Sequence, residues 1–233
     1  MTIRGVLFDF SGTLFRVEST GAWLRAVLQE ARLPLPEAEF ERLTNDLERA
    51  GALPAGPRPT AVPDHLAELW AHRDRSAAEH RAAFTGLSRE VPLPAPHLHD
   101  ALYERHMTPG AWRPYADAAE VLAALRERGV PVAVISNIGW DLRPVFRAHG
   151  LDPYVDAYAL SYEHEVQKPD PRLFARACEV IGVDPADALM VGDDRHADAG
   201  AATLGCAVHF VDHLPVDRRP DGLRPVIGLV DRG

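Results

Sequence analysis

Small side chains with oxygen atoms recur along this chain at points where an apolar run has just ended. One lysine stands just before a predicted helix. In chain order they are Asp9, Ser11, Ser136, Asn137, Lys168, Asp193, Asp194 and Asp198. Carboxylates are the hard oxygen ligands that Mg²⁺ takes in proteins, usually one or two together with water and substrate phosphate. A lysine offers a point positive charge to phosphate and to a nucleophilic carboxylate. The set therefore indicates chemistry on a phosphorylated small molecule.

Asp9 is the most informative of these residues because of its setting. It follows the apolar run 6–8, which is typical of a strand buried on both faces and hence of a parallel sheet covered by helices. In such sheets the ligand crevice lies outside the carboxyl ends of the strands. We therefore expect Asp9 to point into that crevice as a nucleophile or a metal ligand. Gly12 permits a tight turn whose backbone amides approach an anion.

Two further groups of polar residues follow apolar runs in the same way. Ser136 and Asn137 come after residues 132–135, and Asp193 comes after residues 189–191. Ser136 and the amides behind it can donate to phosphate oxygens at the start of a helix. Because the carboxyl ends of parallel strands share one edge of a sheet, we expect these side chains to meet Asp9.

Lys168 is distinguished by composition. Of the 25 lysine and arginine residues it is the only lysine, and it stands just before a predicted helix that starts near Pro171. Chance in an arginine-biased composition is the alternative explanation. Its position predicts that the ammonium reaches the same edge of the sheet as Asp9.

The chain as a whole predicts an α/β fold, a doubly wound parallel-sheet core with an inserted all-helical cap. From residue 111 onward, helices and strands alternate, as in such sheets. The predicted helices are 115–128, 141–149, 171–181 and 198–204, and the predicted strands are 130–135, 155–160, 188–191 and 207–211. Between the first strand and this region, helices are predicted at 19–32, 36–50, 64–84 and 97–107, separated by proline-rich breaks. We therefore expect a core domain of residues 1–15 and 111–233, and a helical cap domain of residues 16–110 over the Asp9 crevice.

Composition limits the remaining possibilities. The chain is 46% hydrophobic with a net charge of −9, which argues against a general nucleic-acid partner. No apolar stretch is long enough to span a membrane, and the first residues do not resemble a signal peptide. Cys178 and Cys206 are expected to be reduced and buried. We expect a cytoplasmic protein, a monomer or a homodimer, that acts on a small phosphorylated molecule.

Four motifs, in order and on the expected elements, resemble those of the haloacid dehalogenase (HAD) superfamily. They are Asp9-Phe10-Ser11-Gly12-Thr13, Ser136-Asn137, Lys168-Pro169-Asp170, and Gly192-Asp193-Asp194 with Asp198. The helical insertion is similar to the C1-type cap of this family. The resemblance covers nearly the whole chain and implies a HAD-like Rossmannoid core.

What the resemblance implies is a hydrolase with a covalent intermediate on Asp9, which in the family's phosphatases is an aspartyl phosphate. It assigns Mg²⁺ to Asp9, the backbone carbonyl of Ser11 and Asp193. It assigns Asp194 and Asp198 to the layer behind the metal and lysine. It places Asp9, Ser11, Ser136 and Lys168 among the catalytic residues, and it gives substrate binding to Gly12, Thr13, Ser136, Asn137 and Lys168.

Ser11 departs from the family pattern. Most family phosphatases place an aspartate there, which protonates the leaving oxygen and then activates water. A serine hydroxyl has no suitable pKa for either task, and loss of a general acid or base typically costs about 10²–10⁴ in rate. Substitutes predicted from the sequence are Asp194, His196, His72 and His80, although a solvated surface imidazole is the default expectation for each histidine.

Two alternatives to a phosphatase remain open. Haloacid dehalogenases also lack this aspartate, carry tyrosine at the Ser11 position and need no metal, whereas residues 192–194 favour a cation. Phosphonate hydrolysis in the family uses a cap lysine, and residues 16–110 contain none. The other alternative is a catalytically weakened protein that keeps the fold for binding or regulation.

Overall fold

A computed structural model describes residues 2–231 and places the predicted parallel sheet at the centre of the molecule. The seven strands in chain order are β1 (Gly5–Phe8), β2 (Phe15–Val17), β3 (Trp112–Pro114), β4 (Val132–Ser136), β5 (Ala157–Leu160), β6 (Ala188–Gly192) and β7 (Ala207–Phe210). Five of them form a sheet of order β5-β4-β1-β6-β7 in which every pairing is parallel. The predicted fold class is thereby confirmed.

Ten α-helices are found within residues 2–231. They are α1 (Thr20–Glu30), α2 (Glu37–Ala50), α3 (Ala67–His72), α4 (Ala77–Arg89), α5 (Leu98–His106), α6 (Ala118–Glu127), α7 (Arg143–Ala148), α8 (Ser161–His164), α9 (Pro171–Val180) and α10 (Pro225–Asp231). Short 3₁₀ helices occupy Asp64–Leu66, Pro109–Ala111, Asp152–Tyr154, Pro185–Asp187, Asp198–Leu204 and Val216–Arg218. None of the helices in this part of the chain has the length and apolarity needed to cross a bilayer.

A two-stranded antiparallel ribbon was not predicted. β2 pairs with β3 in the register Phe15 to Pro114, and helices α1–α5 lie between these two strands in the chain. Three-residue strands carry too little alternation to be recognised in a sequence. The ribbon therefore brings the two ends of the helical segment together beside the sheet.

The prediction of one helix over residues 64–84 is wrong. The segment divides into a 3₁₀ turn, α3 and α4, with a turn at residues 73–76. The break is caused by Ser76, whose hydroxyl accepts a hydrogen bond from the backbone amide of Glu79 at 3.1 Å and donates to its side chain at 2.9 Å. Ser76 is thus the N-cap residue of α4, and a serine in this position starts a new helix.

Two features nearer the carboxyl terminus refine the prediction. The helix predicted at residues 198–204 has 3₁₀ geometry, and helix α10 was not predicted. Arg232 and Gly233 lie outside the described residues. The apolar face of α10 is short, and only Val226 of that helix is buried, so helical periodicity was weak there.

The helical segment and the sheet share one apolar core. A continuous cluster of buried side chains joins Leu24, Phe40 and Leu102 of the helical segment to Phe8 and Val134 of the sheet. Burial of this kind stabilises a fold by about 25 cal/mol for each Å² of apolar surface removed from water. The helical segment is therefore joined to the sheet by a shared apolar core.

Candidate active site

The three central strands bring the predicted polar groups to one edge of the sheet. β1 lies between β4 and β6, and its register pairs Phe8 with Val134 on one side and with Val191 on the other. Asp9, Ser136 and Asp193 consequently follow neighbouring strand ends. Asp9 is fixed at its place because its amide donates to the carbonyl oxygen of Val191 at 2.9 Å.

Lys168 lies between two carboxylates at this edge. Its Nζ is 2.7 Å from Asp9 Oδ1 and 2.6 Å from Asp198 Oδ1, and it is 3.4 Å from the carbonyl oxygen of Ile135. All three charged residues are buried, and Asp198 is fully buried. Charges removed from water in this way are tolerated only when they are paired and hydrogen-bonded.

The electrostatics of the cluster follow from burial and from charge pairing. Burial lowers the pKa of Lys168, but Asp198 and Asp9 overcome this, so the pKa of Lys168 is raised and the ammonium keeps its proton. Burial raises the pKa of Asp9, Lys168 opposes that rise, and Asp198 and Asp193 add to it. An additional cation beside Asp9 would relieve this crowding of negative charge.

The carboxylates of Asp9, Asp193 and Asp198 form a candidate cation site. One oxygen from each lies within 4.8 Å of an oxygen of the others. The donors are all oxygens, and two of the three residues are buried, which suits the ligand preference of Mg²⁺. The residues present therefore fit the metal that the sequence predicts.

The turn after Asp9 is held tightly in place. Gly12 adopts a positive φ of 84°, and a Cβ atom there would overlap the carboxylate of Asp193. Thr13 is buried, and its hydroxyl lies 3.5 Å from Asp9 Oδ2 and 3.3 Å from Asp193 Oδ1. From the far end of the chain, Arg219 donates to the carbonyl oxygens of Gly12, at 2.6 Å, and of Thr13.

Asn137 is joined to the main chain of Lys168. Its side-chain amide donates to the Lys168 carbonyl oxygen at 3.0 Å, and its side-chain oxygen accepts from the Lys168 amide at 2.7 Å. This pair of bonds fixes the backbone from which the lysine side chain extends. Ser136, one residue earlier, is buried beside the cavity described next.

A cavity of about 560 Å³ opens over the cluster. Its floor contains the predicted residues Asp9, Ser11, Ser136, Asn137, Lys168, Asp193 and Asp194. Gly12, Thr13 and Asp198 are not among the lining residues, but Thr13 contacts the carboxylates of Asp9 and Asp193, and Asp198 accepts from the Lys168 ammonium. This volume lies within the usual range for sites that bind small molecules, so the cavity can hold a small metabolite.

Residues of the helical segment and of the segment after β7 complete the wall. They include Trp70, Arg73, Asp74, His80, Arg58 and His213. Arg58, Asp74 and His213 were not predicted from the sequence. His213 follows β7 at the same sheet edge, so the rule that ligands bind at the carboxyl ends of strands would have indicated it. The pattern Ser-x-x-Glu at residues 76–79 is a helix-start signal and marks the end of the turn that carries Asp74.

The substitutes predicted for the acid at Ser11 occupy different environments. His72 and His196 are not among the cavity-lining residues of the described chain, whereas His80 and Asp194 are. The expectation of a solvated imidazole is wrong for His80, which is buried against Phe84 and Tyr103. Apolar packing of α4 buries it.

Asp194 is held as a carboxylate. Burial raises its pKa, but the backbone amides of Ala197 and His196 and the charge of Arg58 outweigh burial, so the pKa of Asp194 is lowered. Its Oδ1 accepts from the amide of His196 at 2.8 Å and from that of Ala197 at 3.0 Å, and Arg58 donates to Oδ2 at 2.5 Å. An ionised aspartate cannot donate a proton to a leaving group.

Comparisons with known proteins agree with this arrangement. Among characterised relatives, a phosphoserine phosphatase of Thermus thermophilus is 34% identical over 175 residues, which cover 69% of this chain and 66% of that enzyme. An (S)-2-haloacid dehalogenase of Burkholderia cepacia is 36% identical over 93 residues, which cover 39% of this chain and 40% of that enzyme. The chain thus spans less than two thirds of the length of either relative.

The fold is shared with solved structures. A dehalogenase crystallised with an intermediate complex superposes with a TM-score of 0.69 at 22% identity, covering 98% of this chain and 97% of that one. Likeness at this identity concerns the fold alone. A model of the haloacid dehalogenase-like hydrolase family matches residues 3–204, which include every residue of the four motifs. The chain therefore belongs to the haloacid dehalogenase-like hydrolases.

Proposed function

We propose that this hydrolase is an Mg²⁺-dependent phosphatase that acts on a small phosphorylated metabolite through an aspartyl phosphate on Asp9. One observation carries the proposal. The Asp9 carboxylate lies on the cavity floor, 2.7 Å from the Lys168 ammonium and grouped with the carboxylates of Asp193 and Asp198. A nucleophile flanked by one fixed cation and a site for another suits attack on a phosphoryl group, whose transfer depends on positioning and charge neutralisation.

In the proposed reaction, an Asp9 oxygen attacks phosphorus and displaces the alcohol of the substrate. Water then attacks the phosphorus of the aspartyl phosphate and releases phosphate with the Asp9 carboxylate restored. Lys168 keeps its positive charge throughout and neutralises the oxygens of the transferring group. Asp198 holds the other side of the ammonium and thereby orients it toward Asp9.

Asp9, the main-chain oxygen of Ser11 and Asp193 are the proposed metal ligands. When bound, Mg²⁺ would supply positive charge to the phosphoryl oxygens and to Asp9. The Thr13 hydroxyl lies between the carboxylates of Asp9 and Asp193 and can donate to either one. Asp194 belongs to the supporting layer behind them.

Ser136 and the turn at Gly12 and Thr13 are the proposed phosphate-binding groups. Ser136 is buried at the end of β4 and lines the cavity, so its hydroxyl can donate to a phosphoryl oxygen. Asn137 was predicted to bind substrate, and its two bonds to the Lys168 main chain support a positioning role as well. The resemblance to a phosphoserine phosphatase supports a small phosphorylated substrate.

The proposal is tested by measuring phosphate release with and without EDTA. The panel contains p-nitrophenyl phosphate, acetyl phosphate, phosphoserine and sugar phosphates. We expect metal-dependent release, ³²P labelling of the denatured protein, and loss of both in Asp9→Asn. Full hydrolytic activity in Asp9→Asn would overturn the proposal.

Dehalogenation of 2-haloacids is the second candidate. Two observations favour it, the similarity to the Burkholderia cepacia dehalogenase and the absence of an acidic side chain at Ser11. The carboxylates of Asp193 and Asp198 oppose it, because a halide leaving group needs no cation site of this kind. Chloride release from 2-chloropropionate that survives EDTA would select this function instead.

A further inference from the structure

The turn between α3 and α4 carries a buried carboxylate into the active-site cavity. Asp74 has only 5% of its surface exposed, and it lines the same cavity as Asp9, Ser11 and Lys168. Within the described residues, no other carboxylate of the segment 16–110 lines this cavity. Carboxylates in clefts with perturbed surroundings are candidates for chemistry.

The turn is tied to the sheet edge at two points. The hydroxyl of Ser161 donates to the Asp74 carbonyl oxygen at 2.5 Å and accepts from the Ile138 amide at 2.9 Å. The Gln167 side chain donates to the Ala71 carbonyl oxygen at 2.9 Å. Ile138 follows the Ser136 segment and Gln167 precedes Lys168, so Asp74 is positioned by the same segments that position the phosphate site.

Two ionisable side chains lie near the Asp74 carboxylate. Arg73 Nη2 is 3.5 Å from Oδ2, and His80 Nε2 is 3.8 Å from Oδ1. Arg73 is also engaged elsewhere, since it donates to the Trp70 carbonyl oxygen at 2.7 Å and stacks on the Trp70 ring. Asp74 thus lines the cavity with an arginine and a histidine near its carboxylate, and neither lies closer than 3.5 Å.

Two further ionisable side chains, Tyr103 and His106, contact His80. Its Nδ1 is 2.7 Å from the Tyr103 hydroxyl, and the ring of His106 stacks on it. Burial, helped by His106 and Arg73, holds the pKa of His80 well below its usual range, so this imidazole is neutral. Burial raises the pKa of Tyr103, so that hydroxyl keeps its proton.

The surroundings of Asp74 raise its affinity for a proton. Burial raises its pKa, and the charges of Arg73 and of Lys168 across the cavity oppose that rise without cancelling it. A carboxyl group of this kind holds a proton at a higher pH than an exposed aspartate does. Asp194, by contrast, is held ionised by its amide bonds and Arg58.

We propose that Asp74 is the general acid and base of the phosphatase reaction, supplied by the helical segment in place of the aspartate that Ser11 replaces. The inference rests on the proposed function. When Asp9 attacks, the bond from phosphorus to the leaving oxygen breaks, and that oxygen takes the proton of Asp74. When water attacks the aspartyl phosphate, its proton passes to Asp74, the bond from phosphorus to Asp9 breaks, and both carboxyl groups return to their starting forms.

The decisive experiment compares Asp74→Asn with Asp100→Asn, a change to an exposed aspartate of α5. With alkyl phosphates such as glycerol phosphate and phosphoserine, kcat of Asp74→Asn falls about 10²–10⁴-fold with little change in KM. With p-nitrophenyl phosphate, whose leaving group needs no acid, the variant forms the aspartyl phosphate but hydrolyses it slowly. It therefore releases a burst of one p-nitrophenolate per chain, whereas Asp100→Asn shows none.

Two further measurements separate chemistry from structure. The alkaline limb of the kcat profile, caused by ionisation of Asp74, disappears in Asp74→Asn. The double variant Ser11→Asp with Asp74→Asn recovers turnover of alkyl phosphates, because the family's usual acid is restored. Turnover of alkyl phosphates within twofold of the parent in Asp74→Asn, or a rise in KM alone, would overturn the inference.

The parent enzyme provides a test that does not depend on any variant folding. With an acid in place, log kcat/KM depends only weakly on the pKa of the leaving alcohol across a series of aryl and alkyl phosphates. A steep dependence would contradict the role of Asp74. Failure of the proposed function is a different outcome, since the parent protein would then release no phosphate or would keep its activity in Asp9→Asn.

Discussion

Lys168 donates to Asp9 across 2.7 Å, and the opposite side of the same ammonium is held by Asp198 at 2.6 Å. The three groups are buried, so the ammonium depends on these two side chains for its hydrogen bonds. Removal of one member of a buried pair is costly because the remaining charge has lost both water and its partner. The stability of the fold and the chemistry of the site therefore depend on the same contact.

Replacement of Lys168 tests this dependence. In Lys168→Met we expect the free energy of unfolding to fall by about 3–5 kcal/mol, and phosphoenzyme formation to fall by at least about 10²-fold. Urea unfolding and ³²P labelling measure the two effects. Arg172→Met, at an exposed position four residues later, is the control and should change neither. If Lys168→Met unfolded at the same urea midpoint as the parent, the expected contribution of Lys168 to stability would be contradicted.

Mg²⁺ should stabilise the folded protein through the carboxylate cluster. A ligand at 100 times its dissociation constant raises the free energy of unfolding by about 2.7 kcal/mol. We expect a Mg²⁺-dependent rise in Tm that EDTA reverses and that Asp193→Asn loses. The exposed Asp217→Asn is the matched control. An undiminished rise in Asp193→Asn would exclude Asp193 as a ligand.

The convergence of Asp9, Ser136 and Asp193 could be predicted because a parallel sheet places the carboxyl ends of its strands together. This rule needs only the recognition of apolar runs and of the residue that ends each run. Lys168 was indicated by its being the only lysine and by its place before a predicted helix, and the family motif supported this prediction. The residues on the floor of the cavity could therefore be predicted from short-range patterns, whereas the strand order was not predicted.

The wall of the cavity depends on contacts that no short-range pattern reveals. Asp74 lies in a turn that was read as the middle of a helix, and its place at the site depends on Ser161, 87 residues later. Arg219 donates a hydrogen bond to the carbonyl oxygen of Gly12, from which it is separated by 207 positions in the sequence. Such pairings are set by how helices pack on the sheet, which a single sequence does not specify.

Arg219 is expected to position the turn that follows Asp9. It is buried against the ring of Tyr115, and it donates to the carbonyl oxygens of Gly12 and Thr13. Arg219→Met leaves two buried carbonyls without their donor, at a cost of about 1–3 kcal/mol each in the free energy of unfolding.

The same change should lower kcat about 10- to 100-fold with little effect on KM, because a shifted turn misplaces Asp9. Urea unfolding and steady-state kinetics measure the two effects. Arg218→Met, one residue away and exposed, is the control. A variant that loses stability but keeps kcat would limit Arg219 to a structural role.

His106 should make the protein sensitive to acid. Burial lowers its pKa from 6.5 to about 3, against an opposing hydrogen bond to the Tyr103 carbonyl oxygen. Between these values the unfolded chain binds a proton on this imidazole and the folded chain does not. The free energy of unfolding therefore decreases as pH falls from 6.5 toward 3, by up to about 1.4 kcal/mol per pH unit.

Urea unfolding at pH 4, 5, 6 and 7 measures this slope. The glutamine of His106→Gln cannot gain the proton. The free energy of unfolding of this variant should therefore depend on pH less steeply than that of the parent, by up to about 1.4 kcal/mol per pH unit. His65→Gln, a change at an exposed histidine, should keep the parental slope. Equal slopes in the parent and in His106→Gln would show that other groups cause the acid sensitivity.

Gly139 governs how closely helix α4 approaches the sheet edge. It is buried, and a Cβ atom at this position would overlap the side chain of His80. In Gly139→Ala the helix must move away from the loop after β4, at a cost of about 1–3 kcal/mol in the free energy of unfolding. His80 lies beside Asp74, so the movement withdraws the proposed acid from the cavity.

The functional effect should therefore depend on the leaving group. We expect turnover of alkyl phosphates to fall more than formation of the aspartyl phosphate from p-nitrophenyl phosphate. The Mg²⁺-dependent rise in Tm should persist, since Asp9 and Asp193 stay in place. Gly21→Ala, where a Cβ atom meets only ordinary contacts with Thr44, serves as the control. Equal losses with both substrates would mean that the added methyl disturbs the floor of the site as well as its wall.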